Sequence, residues 1–244
     1  MSKCIDTYLP YSYVEKKECA EVSTPYHQRQ KQIGLVPQKV WESPSSRVLE
    51  PGCGKGGFTL DILDKFMDGL KDVFPCEESR KKFILEEILY FCDINPTNVF
   101  ICNLLLNFDK KYKLNYYVGN TLELDISKTT ETWKGVDGFD LVIGNPPYDS
   151  PNANKGGGNT LWNLFVNNSL TLWLKQGGLL VFIHPRGWRQ IGGGCSKIGN
   201  LMKSKQILYL NMNDVNEGMK LFKCNTDYDY YLIENSPVYK KTII

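Results

Sequence analysis

Short apolar runs punctuate this 244-residue chain, separated by stretches with helical periodicity. The runs are RVLE at 47–50, ILYFCDI at 88–94, LNYYVG at 114–119, FDLVIG at 139–144, GLLVFI at 178–183, QILYLNM at 206–212 and DYYLIE at 229–234. Continuous apolar runs of this length predict strands buried on both faces, as in a parallel sheet. The intervening segments 58–70, 77–87 and 160–174 predict helices. In the last of these, Leu161, Leu164, Phe165 and Leu172 fall on roughly one face, with Asn159 at the N-cap. Seven strands interleaved with helices predict an α/β fold: a doubly wound, mostly parallel sheet with helices on both faces. No repeat or low-complexity tract interrupts the pattern. The one break in composition is the polar, glycine-rich stretch SPNANKGGGNT at 150–160, placed after the fourth strand. Long polar loops at strand ends are where such folds carry function.

Two of the strand ends carry chemistry that a plain connection does not need. VLEPGCGKGGF, residues 48–58, follows the first strand and opens a helix. Its glycines let a backbone approach a ligand closely, although the same turn would serve as a tight strand-to-helix link. After the second strand comes FCDIN, which puts Asp93 where a carboxylate can accept from both hydroxyls of a ribose. A dinucleotide fingerprint sets that acid about 20 residues beyond the glycines. Here a charged helix, CEESRKKFILEEI, fills a longer gap, and the glycine spacing does not seat a pyrophosphate. A nucleoside cofactor without phosphates fits better, and S-adenosylmethionine is the obvious one. After the third strand, YVGNTLELD offers Asn120 to a cofactor adenine, or to a simple turn.

The fourth strand end is the most unusual. DLVIGNPPYDSP runs a buried strand into Asn145, Pro146, Pro147 and Tyr148. A turn needs no paired prolines, and a helix does not begin through both of them. The stretch holds one amide, one backbone carbonyl and one aromatic ring in a fixed relation.

Bulk properties narrow the setting. The chain is 42% hydrophobic, with a net charge of +2, enough for one sizeable domain and without the overall basicity that announces nucleic acid. Eight cysteines lie without CxxC pairs, beside only two histidines, which predicts free thiols and no metal site. Neither a signal-peptide core nor a membrane-length apolar run is present, so the expectation is a soluble intracellular protein, in a bacterial cytoplasm or in a host cell if virus-encoded.

With these residues in view, the chain resembles the S-adenosylmethionine-dependent methyltransferases of the seven-stranded class. Within them it is most similar to the adenine-N6 DNA methyltransferases whose cofactor motif precedes the catalytic motif, the gamma arrangement. The resemblance spans roughly residues 23–235. STPYHQRQKQI at 23–33 resembles the segment across the methionine moiety, which implies contacts from Thr24 and Pro25. LEPGCGKGGF resembles the first cofactor motif, implying Glu50, Pro51, Gly52, Cys53, Gly54 and Phe58. CDIN implies Asp93 with Ile94, and GNT implies Asn120 with Thr121. NPPY resembles the catalytic tetrad Asn145–Tyr148, with Asn145 also beside the cofactor, and is the specific element. GGLLVFIHPRGW and FKCNTDYDYYLIE resemble the fifth strand and a late motif whose aromatic lines the target-base pocket; Tyr228 is the choice for that wall. Three departures stand out: an amide at Asn120 where relatives often have an acid, a longer insertion before Asp93, and no separate target-recognition domain. The whole of 1–244 is therefore expected to be one catalytic domain, with 1–45 packing on the cofactor site.

The chemistry explains the tetrad. An exocyclic amine on adenine is a poor nucleophile because its lone pair is delocalised into the ring. Acceptors on its two N–H bonds, the Asn145 side-chain oxygen and the Pro146 carbonyl, would localise that pair as charge develops. Tyr148 would stack on the base, worth about 1–3 kcal/mol. A paired base cannot reach such a pocket, so the target is flipped or already unpaired. Lys155 and Arg186 are candidates for the nucleic-acid backbone, whereas His184 reads as structural. The expected partners are DNA and, given the missing recognition domain, a specificity subunit. Two rival readings remain: the same chemistry on a release-factor glutamine or an RNA base amine, and a catalytically silent nucleic-acid-binding subunit.

Overall fold

The computed structural model describes residues 2–10, 23–126, 133, 135–149, 160–190, 192 and 194–244. The strands are β1 (Val48–Glu50), β2 (Leu89–Asp93), β3 (Asn115–Val118), β4 (Phe139–Gly144), β5 (Leu174–Pro185), β6 (Lys205–Asn213) and β7 (Tyr228–Pro237). They form one sheet in the order β3-β2-β1-β4-β5-β7-β6, with β7 antiparallel to both its neighbours. Every apolar run read as a strand is one. β1, β2 and β4 are buried along almost their whole length, as a sheet covered on both sides requires.

The covering helices are α1 (Ser2–Tyr8), α2 (Tyr26–Ile33), α3 (Gln38–Trp41), α4 (Gly57–Gly69), α5 (Glu77–Phe83), α6 (Pro96–Asn107), α7 (Trp162–Asn168), α8 (Ser196–Lys203) and α9 (Val215–Phe222). Two cores result. One packs α4, α6 and the N-terminal helices through Trp41, Phe58, Phe66 and Val99; the other packs α7 and α8 through Phe139, Trp162, Trp173 and Trp188.

Helix α7 corrects one expectation. It starts after Leu161, and a wide π turn at Ser169–Trp173 carries it into β5; Asn159 lies outside the described residues. Its inward face is Trp162, Phe165, Val166, Leu170 and Trp173, while Leu164 and Leu172 stand 46% and 63% exposed. Burying indoles removes more apolar surface from water than burying leucines, so the tryptophans set the rotation of the helix. Helix α6 was not anticipated. Its start, with Pro96 in the first turn and Asn95 accepting from the Thr97 amide at 3.0 Å, is a readable signal. Its body is apolar on every side, which hides the helical period.

The C-terminal ends of β1, β2, β3 and β4 share one edge, because these strands are mutually parallel. The chain winds outward from β1 to β3, then crosses back to β4 beside β1. That reversal opens a crevice at the strand ends, the usual ligand position in an open α/β sheet.

Candidate active site

A cavity of about 660 Å³ fills the crevice. Its walls come from the turn after β1, the end of β2, the turn after β3, the tetrad after β4, and the start of α7. The volume lies in the range of small-molecule sites.

The turn after β1 is fixed from outside by Asp93. One carboxylate oxygen accepts from the Gly54 amide and the other from the Asn95 amide, each at 2.8 Å. The Asn98 side chain and the Ile94 amide also donate to it, so four donors orient the carboxylate at the cavity wall. Burial raises the Asp93 pKa while the amides lower it. Beside it Ile94 is 65% exposed and lines the cavity, an apolar surface for a flat ring. Glu50 is buried, and the Thr59 hydroxyl donates to it at 2.5 Å. Desolvation pushes its carboxyl well above the usual range, against that hydrogen bond and the charge of Arg29. The Cys53 thiol is likewise pushed up by burial and touches the Cys102 thiol at 3.6 Å.

A second layer comes from the N-terminal segment. Arg29, 2% exposed, donates to Asp61 at 2.7 Å, to Asp6 at 3.1 Å, and to the carbonyls of Thr24 at 2.6 Å and Ser2 at 3.0 Å. One guanidinium thus ties α1, the 23–25 segment and α4 together. Gly57 makes room for it: a Cβ there would stand 3.0 Å from the guanidinium carbon. Thr24, Ser23 and Ile5 reach the cavity as a result. Pro25 does not. It takes the N-cap position of α2 with φ −57°, suited to helix entry. Lys55 also lines the cavity and donates to the Pro10 carbonyl at 3.1 Å.

The tetrad closes the other end. Asn145, Pro146, Pro147 and Tyr148 all line the cavity, and a Cβ on Gly52 would lie 3.9 Å from Pro147 Cδ. Glycine turn and tetrad therefore face each other across one site. The Tyr148 carbonyl accepts from Leu161 at 2.9 Å, and Asp149 bridges Thr160. Burial, joined by Cys224 and Tyr228, raises the Tyr148 hydroxyl, while Asn145 lowers it. The Tyr148 ring meets Phe222 edge-on at 6.1 Å, and Phe222 meets Tyr228 at 5.3 Å.

The structure brings together Thr24, Glu50, Pro51, Gly52, Cys53, Gly54, Phe58, Asp93, Ile94, Asn120, Thr121 and the tetrad. Asn120 is already engaged: its oxygen accepts from the Leu122 amide and its nitrogen donates to Glu123 at 2.7 Å. Tyr228 is 4% exposed and off the cavity wall, since Phe222 stands between it and Tyr148. Arg186, half-exposed, also lies off the cavity and pairs with Asp227. Lys155 is outside the described residues. His184 is fully buried, stacked on Trp162 at 4.2 Å and bonded to the Tyr231 hydroxyl at 2.8 Å. Arg29, Ile5, Lys55 and Phe222 escaped the sequence reading; Gly57, one glycine more than a tight turn requires, was the available hint of Arg29.

This sheet order, with its cavity at the reversal point, is that of the class I methyltransferase fold. The chain belongs to the Eco57I restriction-modification methylase family, whose model matches residues 87–222, more than half of its length. No match was found among curated protein sequences. Among solved structures, the chain is similar to DrdV in a DrdV–DNA complex, at 15% identity and a TM-score of 0.69, over 96% of this chain and 28% of that one. A nuclease-deletion mutant of the Type ISP restriction-modification enzyme LlaGI, in complex with a DNA substrate mimic, gives 14%, 0.62, 91% and 27% in the same order. A type I restriction-modification methyltransferase subunit from Streptococcus thermophilus gives 16%, 0.58, 87% and 44%. The chain spans less than half the length of each of these structures. Among the described residues no helix is long and apolar enough to cross a membrane.

Proposed function

We propose that this chain transfers a methyl group from S-adenosylmethionine to the exocyclic N6 amine of adenine in DNA, with the target base flipped out or unpaired. The observation that carries this reading is the junction of two half-sites in one cavity: a glycine turn with an oriented acid, and an Asn-Pro-Pro-Tyr tetrad facing it.

The residues present fit the cofactor. Asp93 is held at the cavity wall where a ribose would lie, and Ile94 offers an apolar face to adenine. Thr24, Lys55 and Glu50 would hold the methionine end, its carboxylate beside Lys55 and its ammonium beside Glu50, whose raised pKa the bound cation would pull back down. When bound, S-adenosylmethionine supplies a methyl group on a positively charged sulfur, an activated arrangement that needs no strong base or metal. The remaining work falls to the tetrad. Asn145 and the Pro146 carbonyl accept from the two amine N–H bonds, which localises the nitrogen lone pair. Proline fixes φ, so these acceptors are set before substrate arrives. Tyr148 stacks on the base, and Phe222 stands against its edge.

DNA as the substrate is supported by the family match and by relatives solved with DNA. Those relatives carry this fold within much longer chains, which supports recognition by a further segment or a specificity subunit. The test supplies methyl-labelled S-adenosylmethionine with duplex DNA, single-stranded DNA, RNA or a release factor. Label in DNA is the expected result; label only in RNA or protein would overturn the substrate and keep the mechanism.

A further inference from the structure

Strands β6 and β7 are antiparallel neighbours, and such a pair can be joined by a two-residue hairpin. Here the connection runs through 214–227 and places α9 on the rim of the site. Within the helix only Gly218 is buried, packed so closely that a Cβ would stand 1.7 Å from the Thr226 carbonyl oxygen. A helix of eight residues with so little tertiary support is marginal by itself. Leu221 and Phe222 pack against the Ile183, Tyr228 and Tyr230 cluster at its C-terminal end, and local devices hold the rest. The Asp214 side chain accepts from the Glu217 amide at 3.0 Å, as in a capping box, and Lys220 pairs with Glu217 at 2.6 Å.

That economy leaves one face open. Val215 and Met219 stand 43% and 42% exposed, one helical turn apart, and Met212 precedes them at the end of β6 with 44% exposure. The same face ends at Phe222, which reaches the ring of Tyr148. An uncharged stripe thus runs outward from the tetrad along the rim. Two arginines flank it from the neighbouring strand end: Arg186 pairs with Asp227, and Arg189 with Asp229 at 2.8 Å while also touching Met212 Sδ at 3.1 Å. A guanidinium has five donors, more than one carboxylate takes, and a held plane suits phosphate oxygens.

We infer that α9 is a nucleic-acid wedge: Val215 and Met219 press against the bases next to the target, occupying stacking surface that is exposed when the target leaves the helix. The inference rests on the proposed function and deepens it. Continuity with the tetrad selects the occupant, because whatever enters the cavity as a base must trail its neighbours across this stripe. Apolar side chains inserted at base steps are a known way to offset unstacking.

The wedge matters for a paired substrate and little for one already single-stranded. Met219→Glu and Val215→Glu are surface changes, and calorimetric titration with S-adenosylmethionine should give the affinity of the unsubstituted protein. Phe108→Glu, on a more exposed ring beyond α6, serves as the control. Methyl transfer is measured on PCR-amplified duplex DNA and on the same DNA heat-denatured. Met219→Glu should lower kcat/KM on the duplex about tenfold and on the single strand less than about threefold, tenfold being one step of the rate scale. Phe108→Glu should change neither. An equal loss on both forms, or no loss, overturns the wedge while the proposed function stands. If the unsubstituted protein methylates neither DNA, the proposed function falls and the wedge with it.

Discussion

The two ends of the cavity are built by opposite means. At the proposed cofactor end a buried guanidinium holds three chain segments, and backbone amides orient Asp93. At the proposed base end Tyr148 meets Phe222 and Phe222 meets Tyr228 through ring edges, and the rim is a capped helix with only Gly218 fully buried. A constant ligand tolerates a rigid, hydrogen-bonded socket. A base that must leave a stack and return needs apolar walls that can accept it and release it. The difference teaches that rigidity here is concentrated where the ligand never varies.

Substitutions can break that contrast, beginning with the largest effect. Arg29→Met should leave Asp61 and Asp6 buried or half-buried without their cation. Removing one partner of a buried pair typically costs about 3–5 kcal/mol, to be read from urea unfolding. S-adenosylmethionine affinity should fall with it, and unchanged stability would show that the network is incidental. Asn145→Ala should lower kcat by about 10²–10³, the usual cost of losing one aligned transition-state partner, with cofactor affinity retained. Equal loss of cofactor binding would instead merge the two ends into one rigid unit.

The pH dependence separates two buried groups that lie opposite each other on β5 and β7, His184 and Asp229. Burial lowers His184 from 6.5 to about 4, so it favours unfolding as pH falls through that window, by about 3 kcal/mol in total. Burial raises Asp229 from 3.8 to about 6, opposed by Arg189 and Trp188. Its contribution is full below 3.8 and is lost as pH rises through 6, by about the same amount. The two slopes oppose each other, and stability should be nearly flat between pH 4 and 6. In Asp229→Asn the melting temperature should drop steeply as pH falls across that range; a flat profile would contradict the assignment. Smallest of all, Phe222→Ala should raise KM for DNA by the equivalent of about 1–3 kcal/mol of lost aromatic contact, leaving the cofactor titration unchanged.

The contrast also explains what could be read from the sequence. Strands were legible because each apolar run is local and buried on both faces. Asp93 and the glycine turn were legible because they occupy fixed places after successive parallel strands, and Asn145–Tyr148 because paired prolines have no simpler use. Arg29 was not legible: its carboxylates lie 23 and 32 residues away, and nothing local announces them. That Phe222, and not Tyr228, meets the Tyr148 ring was not legible for a similar reason. Both aromatics flank the same turn, and only the packing of α9 on Thr226 decides which ring faces Tyr148. Leucine spacing does not give the face of α7, because Trp162 and Trp173 bury more apolar surface than Leu164 and Leu172 would.

The central claim is that Asn145 and its neighbours activate an adenine amine beside a bound methyl donor. The most direct measurement digests DNA treated with the protein and S-adenosylmethionine to nucleosides and locates the methyl group by mass spectrometry. The account predicts N6-methyladenine, absent from the Asn145→Ala reaction. A methyl group on another base, or N6-methyladenine undiminished in Asn145→Ala, would contradict it.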